Sequence, residues 1–294
     1  MIAENVNWKA KIGALVPLLK LRLSLLVCFS SGMGYLLALR NSSFNLIHFT
    51  LFIVGGLLVT AASNILNQII EKESDKLMKR TAGRPLPTGV LSVQEALLVA
   101  CSFAFGGLLL LGLEINWNTA ILAGVSLLLY AFVYTPLKKR GPIAVLVGAF
   151  PGAFPPMIGW LAVTNQYGWE PGILFAIQFF WQFPHFWAIA WVLDEDYQKA
   201  GIRLLPNGGK KDMRTAFLIM IYTLFLIPLG FAPYLMKMAG FNSAIVATIC
   251  GVLFLAQTFW LMKECTRKAA LWIMFGSFLY LPIVQIAFVL DKLP

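Results

Sequence analysis

The chain has 294 residues, of which 59% are hydrophobic and only 12% charged, with a mean hydropathy of +0.78. That balance excludes an ordinary soluble enzyme, although the length alone would allow one or two soluble domains. The net charge of +10 would suit a nucleic-acid binder, but the basic residues sit in alternate loops between apolar runs. This is the distribution that orients a membrane protein. It implies a lipid bilayer as partner and excludes nucleic acid.

A mostly polar lead-in of about fifteen residues carries no cleavable-signal pattern, so the first apolar run serves as its own insertion signal. Nine apolar runs of membrane-spanning length follow. Their approximate cores are residues 23–39, 46–70, 93–113, 119–134, 143–163, 172–193, 215–235, 244–262 and 271–290. The fold expected is an all-α bundle of nine transmembrane helices, forming a single polytopic domain over residues 1–294. Of the 23 basic residues, all but Arg40, Lys237 and Lys292 fall in the N-terminal segment up to Arg22 or in the loops after spans 2, 4, 6 and 8. The N-terminus is therefore expected in the cytoplasm and the C-terminus on the opposite side. The long charged loops follow spans 2 and 6, which suggests two four-helix units in the same sense plus a ninth span. Cys28, Cys101, Cys250 and Cys265 are scattered without a CxxC pair and read as small apolar fillers.

The end of span 2 holds the most informative stretch, NILNQIIEKESDKLMKRTAGRPLPTG, from Asn64 to Gly89. Asn67, Glu71 and Asp75 are spaced by four, so on a helix each is rotated only about 40° from the last. Three oxygen-bearing side chains then share one face. A hard cation such as Mg²⁺ takes oxygen ligands and completes its shell with water and substrate phosphates. Lys76, Lys79, Arg80 and Arg84 follow at once and suit the phosphates. A solvated charged face is the alternative, but it does not explain the spacing.

Span 5 contains GAFPGAFPPMIGW, Gly148 to Trp160, with three prolines inside an apolar run. They bend a helix and free backbone carbonyls, either for packing or to wrap a bulky substrate. Span 6 runs into WQFPHFWAIAWVLDEDYQKAGIRLLP, Trp181 to Pro206. His185 lies within the apolar part, where an ionisable group marks a functional candidate; a hydrogen bond to a neighbouring helix is the alternative. Asp194, Glu195, Asp196 and Tyr197 close the span. Two acidic clusters on separate helices could hold metal ions bridged by a diphosphate. Phe183, Phe186, Trp187 and Trp191 either line an apolar cavity or pack as ordinary membrane aromatics. His48, near the opposite end of span 2, reads as interfacial.

These segments resemble the UbiA superfamily of intramembrane prenyltransferases. The first stretch is similar to its N/D-x-x-x-D/E-x-x-x-D signature. NxxIExxxDxLMKRTxxRPLPTG, YTPLKKRGP, GAFPGAFPPMIGW and WQFPHFWAIAW…EDYxxAG…LP together resemble the protohaem IX farnesyltransferase (haem O synthase) subgroup, from about Lys20 to the last span. The resemblance implies a central cavity within the nine-helix bundle and a site facing the cytoplasm of a bacterial inner membrane. The implied reaction is Mg²⁺-assisted transfer of farnesyl from farnesyl diphosphate to a vinyl group of haem B, with water addition. It also implies that Asn67, Glu71, Asp75 and Asp196 are catalytic and hold metal. Lys79, Arg80, Arg84, His185 and Tyr197 would bind substrate. A downstream haem-modifying enzyme or a terminal oxidase would take the product.

The chain departs from the superfamily pattern in two places. Ala200 stands four residues after Asp196, where a second carboxylate is usual. Gly141-Pro142-Ile143-Ala144 replaces a more polar segment that often includes an Asn. A prenyltransferase acting on an aromatic quinone precursor would use the same diphosphate site. A membrane transporter would place its polar groups nearer the midplane, on broken helices.

Overall fold

A computed structural model describes residues 8–40 and 43–294. Residues 1–7, the start of the polar lead-in, lie outside the described residues. Among the described residues nine helices are long and apolar enough to cross a membrane, so the chain is an integral membrane protein. In chain order the helices are α1 (Trp8–Leu19), α2 (Leu21–Ala38), α3 (Leu46–Ile70), the single turn α4 (Lys72–Asp75), α5 (Val93–Ile115) and α6 (Trp117–Arg140). They continue with α7 (Ile143–Thr164), α8 (Trp169–Val192), the short α9 (Asp194–Lys199), α10 (Met213–Leu235), α11 (Phe241–Glu264) and α12 (Arg267–Leu290).

Local chemistry sets several of the starts. Asn45 caps α3 by accepting from the amides of Ile47 and His48. Ser92 and Glu95 form a reciprocal capping box at α5. Asn116, Asp212 and Thr266 accept from the third amide of α6, α10 and α12. Each side-chain oxygen satisfies an amide that the first turn of a helix leaves unpaired.

Three elements differ from the sequence expectation. The lead-in is helical from Trp8, because Ala14 and Leu18 bury themselves against Ile65, Leu86 and Leu91. The fourth span does not stop at Tyr134: it widens into π turns over Leu129–Tyr134 and then tightens, staying helical to Arg140. Lys138 is thus carried on a helix and not on a loop. The Asn67–Asp75 stretch is not one continuous helix. Glu71 is the C-cap of α3 and Asp75 sits on the separate turn α4. The spacing survives nevertheless, since the Glu71 amide bonds to the Asn67 carbonyl at 2.9 Å and the Asp75 amide to the Glu71 carbonyl at 2.8 Å.

Helices α2 and α7 pack backbone to backbone. A Cβ on Gly159 would overlap the Ser31 carbonyl, and one on Gly34 would overlap the backbone of Pro156. Small residues permit this approach in a membrane, where van der Waals packing has to hold helices together. The prolines of α7 belong to the same arrangement. Pro155 and Pro156 cannot bond back to the carbonyls of Pro151 and Gly152. Ser126 of α6 donates to the Pro151 carbonyl at 3.2 Å, and Gln178 of α8 donates to the Gly152 carbonyl at 2.7 Å. Gln182 adds a bond to the Ala149 carbonyl at 2.9 Å. Gln178 in turn accepts from Ser30 of α2 and Gln285 of α12, at 2.7 and 3.0 Å. The carbonyls that these prolines free are therefore satisfied by neighbouring helices.

Candidate active site

The charged end of the bundle is where α2 begins and α3, α6 and α8 end. Asn67, Glu71 and Asp75 all lie there and all are buried. Asn67 donates from Nδ2 to Glu71 Oε2 at 2.9 Å and to Thr135 Oγ1 of α6 at 3.0 Å. Its Oδ1 accepts from Lys20 Nζ at 2.8 Å. Lys138 Nζ meets Glu71 Oε1 at 2.8 Å, and Arg84 Nη1 meets Asp75 Oδ2 at 2.6 Å. Two carboxylates are thus ringed by three cations.

The electrostatics follow from this crowding. Burial pushes the Lys20 ammonium down to about 7, and the nearby Arg84 and Lys138 charges push the same way. Burial works to raise the Glu71 carboxyl, but the Lys138 ammonium and its hydrogen bond prevail and hold it below the usual range. Lys138 also lies over the Tyr134 ring, 4.7 Å from its centroid. The excess of positive charge suits an anion of more than one charge.

The loop after α4 is built rather than loose. Its own Met78, Leu86 and Leu91 are buried, and Thr81 Oγ1 donates to the Asp75 carbonyl at 2.9 Å. This brings Arg84 back onto Asp75 while Lys79 and Arg80 stay exposed. Asp196, on α9, accepts from the backbone amides of Lys79 and Arg80 at 3.0 and 3.4 Å. Burial opposes these bonds, yet they lower its carboxyl. The second acidic region therefore clamps the first basic loop through its backbone. Asp194 is buried on Lys211 and Gln198, at 3.1 and 2.9 Å. Glu195 is exposed and Tyr197 is half-buried against the main core.

His185 lies away from this cluster, between α8 and α12. Its Nδ1 meets Ser277 Oγ at 2.8 Å and its ring stacks on Trp181. The neighbouring-helix bond considered from the sequence is present. Phe183 and Trp187 pack on Tyr222 of α10, 4.2 and 5.2 Å between ring centroids, and Trp191 is fully buried in the same core. His48 bonds to Tyr35 at 2.8 Å near the start of α3.

Sequence reasoning did not single out Lys20, Thr135 and Lys138 as site residues. Thr135 and Lys138 had a signal, since their spacing of three puts them on one face of a helix. Lys20 had none, because a lysine ahead of a span reads as a topology signal.

The residues present fit a hard cation. Asn67, Glu71 and Asp75 offer oxygen donors only, and Asp75 Oδ1 is buried without a hydrogen-bond partner. A buried, unpartnered carboxylate oxygen is costly unless something meets it. Among the described residues no three of His, Cys, Asp and Glu converge. Water and phosphate oxygens would have to fill the rest of the shell, as is usual for Mg²⁺.

Residues 25–281 match the model of the UbiA prenyltransferase family. The protohaem IX farnesyltransferase of Cytophaga hutchinsonii is 60% identical over 280 residues, covering 95% of this chain and 98% of that protein. The protohaem IX farnesyltransferase of Christiangramia forsetii is 45% identical, covering 93% and 91%. Among solved structures, a digeranylgeranylglyceryl phosphate synthase superposes with a TM-score of 0.80 at 22% identity, covering 96% of this chain and 98% of that one. A UbiA homologue from Archaeoglobus fulgidus bound to GPP and Mg²⁺ gives 0.64 at 17% identity, covering 94% and 99%. At those identities the structures speak for the fold alone. The chain belongs to the UbiA prenyltransferase family and, within it, to the protohaem IX farnesyltransferases.

Proposed function

We propose that this chain, acting as one domain, transfers the farnesyl group of farnesyl diphosphate to a vinyl group of haem B. Water adds in the same reaction and the product is haem O. The observation that carries this reading is the buried Asn67–Glu71–Asp75 cluster, with its unpartnered Asp75 oxygen and its ring of Lys20, Arg84 and Lys138. Asn67, Glu71 and Asp75 would hold Mg²⁺, with Asp196 the candidate from the second region. When bound, the metal neutralises the diphosphate and acts as a Lewis acid on it.

The chain's own groups do the rest. Lys138 and Arg84 face the leaving diphosphate from inside, and Lys79 and Arg80 close over it. Asp196 positions those last two by fixing their backbone. The allylic C–O bond breaks and its electron pair leaves with the diphosphate. The π pair of the vinyl group forms the new C–C bond, and the positive charge moves to the carbon beside the porphyrin. Water adds there and releases one proton. No protein nucleophile is required. The apolar bundle keeps water from the farnesyl cation until the vinyl group has reacted.

His185 and Tyr197 are assigned to the substrates. Ser277 directs its hydroxyl hydrogen to the Met274 carbonyl at 2.6 Å, so Nδ1 of His185 has to be the donor in their bond. The lone pair is then on Nε2, where it can orient haem through the iron. His185→Ala is expected to weaken haem binding in a spectrophotometric titration; unchanged affinity and turnover would dismiss the role.

The asymmetry of basic residues supports an N-terminus and a site in the cytoplasm, in a bacterial inner membrane. The direct test supplies purified protein with haem B, farnesyl diphosphate and Mg²⁺. Mass spectrometry is expected to find a hydroxyethylfarnesyl haem that EDTA suppresses. Prenylation of an aromatic quinone precursor instead would keep the diphosphate site and reassign the acceptor.

A further inference from the structure

We infer that Lys20 is a displaceable internal counter-ion, which occupies the cation-facing oxygen of Asn67 in the substrate-free protein and passes to the diphosphate once metal is bound. This rests on the reading of Asn67, Glu71 and Asp75 as a metal–diphosphate site.

The position of Lys20 is built by its backbone. It joins α1 to α2 in a left-handed conformation, φ 47 and ψ 50. That region is sparsely populated for residues other than Gly, and it persists only where the surroundings hold it. Here they do. The Lys20 amide bonds to the Pro17 carbonyl at 3.3 Å, and its own carbonyl accepts from Leu23 and Ser24 at 2.9 and 3.1 Å. Gln68, one residue after Asn67, donates to the Leu18 carbonyl at 2.6 Å and ties the bend to α3. A lysine that only oriented the first span would extend to water or lipid headgroups. This one turns inward across 47 residues of sequence to reach Asn67.

Its partner is the telling feature. Among the described residues Lys138 has Glu71 and Arg84 has Asp75, whereas Lys20 bonds only to the neutral amide of Asn67. It is the cation in excess: Arg84 and Lys138 repel it more than Glu71 and Asp75, already paired, attract it. The oxygen it occupies is the one atom through which Asn67 can ligate a metal, because Nδ2 donates to Glu71 and Thr135. A metal placed on that oxygen, even through its second lone pair, would lie against the ammonium and repel it. A diphosphate arriving with the metal gives that ammonium the anionic partner it lacks. The same residue then opposes metal alone and favours metal with diphosphate.

The test reads binding, not turnover. Mn²⁺ binding to full-length protein is followed by EPR, with and without inorganic pyrophosphate as the probe. Lys20→Met should bind Mn²⁺ alone about tenfold more tightly than the natural protein and the Mn²⁺–pyrophosphate pair about tenfold more weakly. That is the order expected of one charge-assisted hydrogen bond. Lys20→Arg should restore pyrophosphate binding. If Lys20→Met does not fold, Lys20→Gln, which keeps a donor without the charge, should show the same two opposite shifts. Shifts of one sign, or none, would mean a structural role and overturn the proposal. No Mn²⁺–pyrophosphate binding by the natural protein would overturn the site reading itself, and the proposal with it.

Discussion

Asp75→Ala is expected to lower farnesyl transfer by about two to three orders of magnitude, the loss typical when one preorganised charge-stabilising group is removed. Asp75 is the group in the cluster with an oxygen buried and unpartnered, the feature on which its proposed metal role rests. The variant should still insert into the membrane. Arg84, freed of its partner, has 19% of its side chain exposed and can turn to water. Asp75→Asn separates the two roles. It keeps an oxygen for Arg84 and therefore the local fold, but loses the charge that the metal requires. Product formation by mass spectrometry and the yield in membranes measure both. Full turnover in either variant would overturn the metal assignment.

Gly159→Val acts on the whole bundle. The added Cβ alone falls on the backbone of Ser31 and Tyr35, and backbone cannot swing aside as a side chain can. Overpacking in a tight core costs about 1–3 kcal/mol, and more where nothing yields. Here α2 and α7 must separate. That loosens the Ser30–Gln178–Gln285 network, and it tilts the helix whose first turn aims Lys20. Thermal unfolding in detergent should show a large loss of folded protein, with Gly159→Ala intermediate. Gly56→Ala, where a Cβ meets nothing within 4 Å, is the control and should change little.

The legibility of this molecule followed the range of the forces involved. Nine apolar runs were plain because a bilayer imposes their length and composition on each run separately. The Asn67–Glu71–Asp75 line was plain because it depends on neighbours four residues apart. The helix from Trp8 and the extension of α6 to Arg140 were hidden, since charged residues there look like loop until Leu18 and Lys138 find partners on α3. Nothing local distinguishes Lys20 from any other lysine ahead of a span, and only the bend at its backbone makes it part of the site. For Asp196 the local pattern offers a ligand candidate, and only the fold shows that its carboxylate also meets the amides of Lys79 and Arg80. Those are contacts across more than a hundred residues.

The borrowed hydrogen bonds of α7 have a consequence for how this chain can change. Pro156 takes away an internal partner of the Gly152 carbonyl and Gln178 supplies a replacement from another helix. Losing Gln178 alone leaves a carbonyl stranded in an apolar interior, while restoring an N–H at position 156 first removes that part of the loss, leaving only the bonds from Ser30 and Gln285 to account for. The two positions are epistatic: the effect of either depends on the other, and their energies do not add. Ser126 stands in the same relation to Pro155. In this part of the chain the heritable unit is a pair of residues on different helices, and drift at one of them is constrained by a neighbour more than twenty positions away.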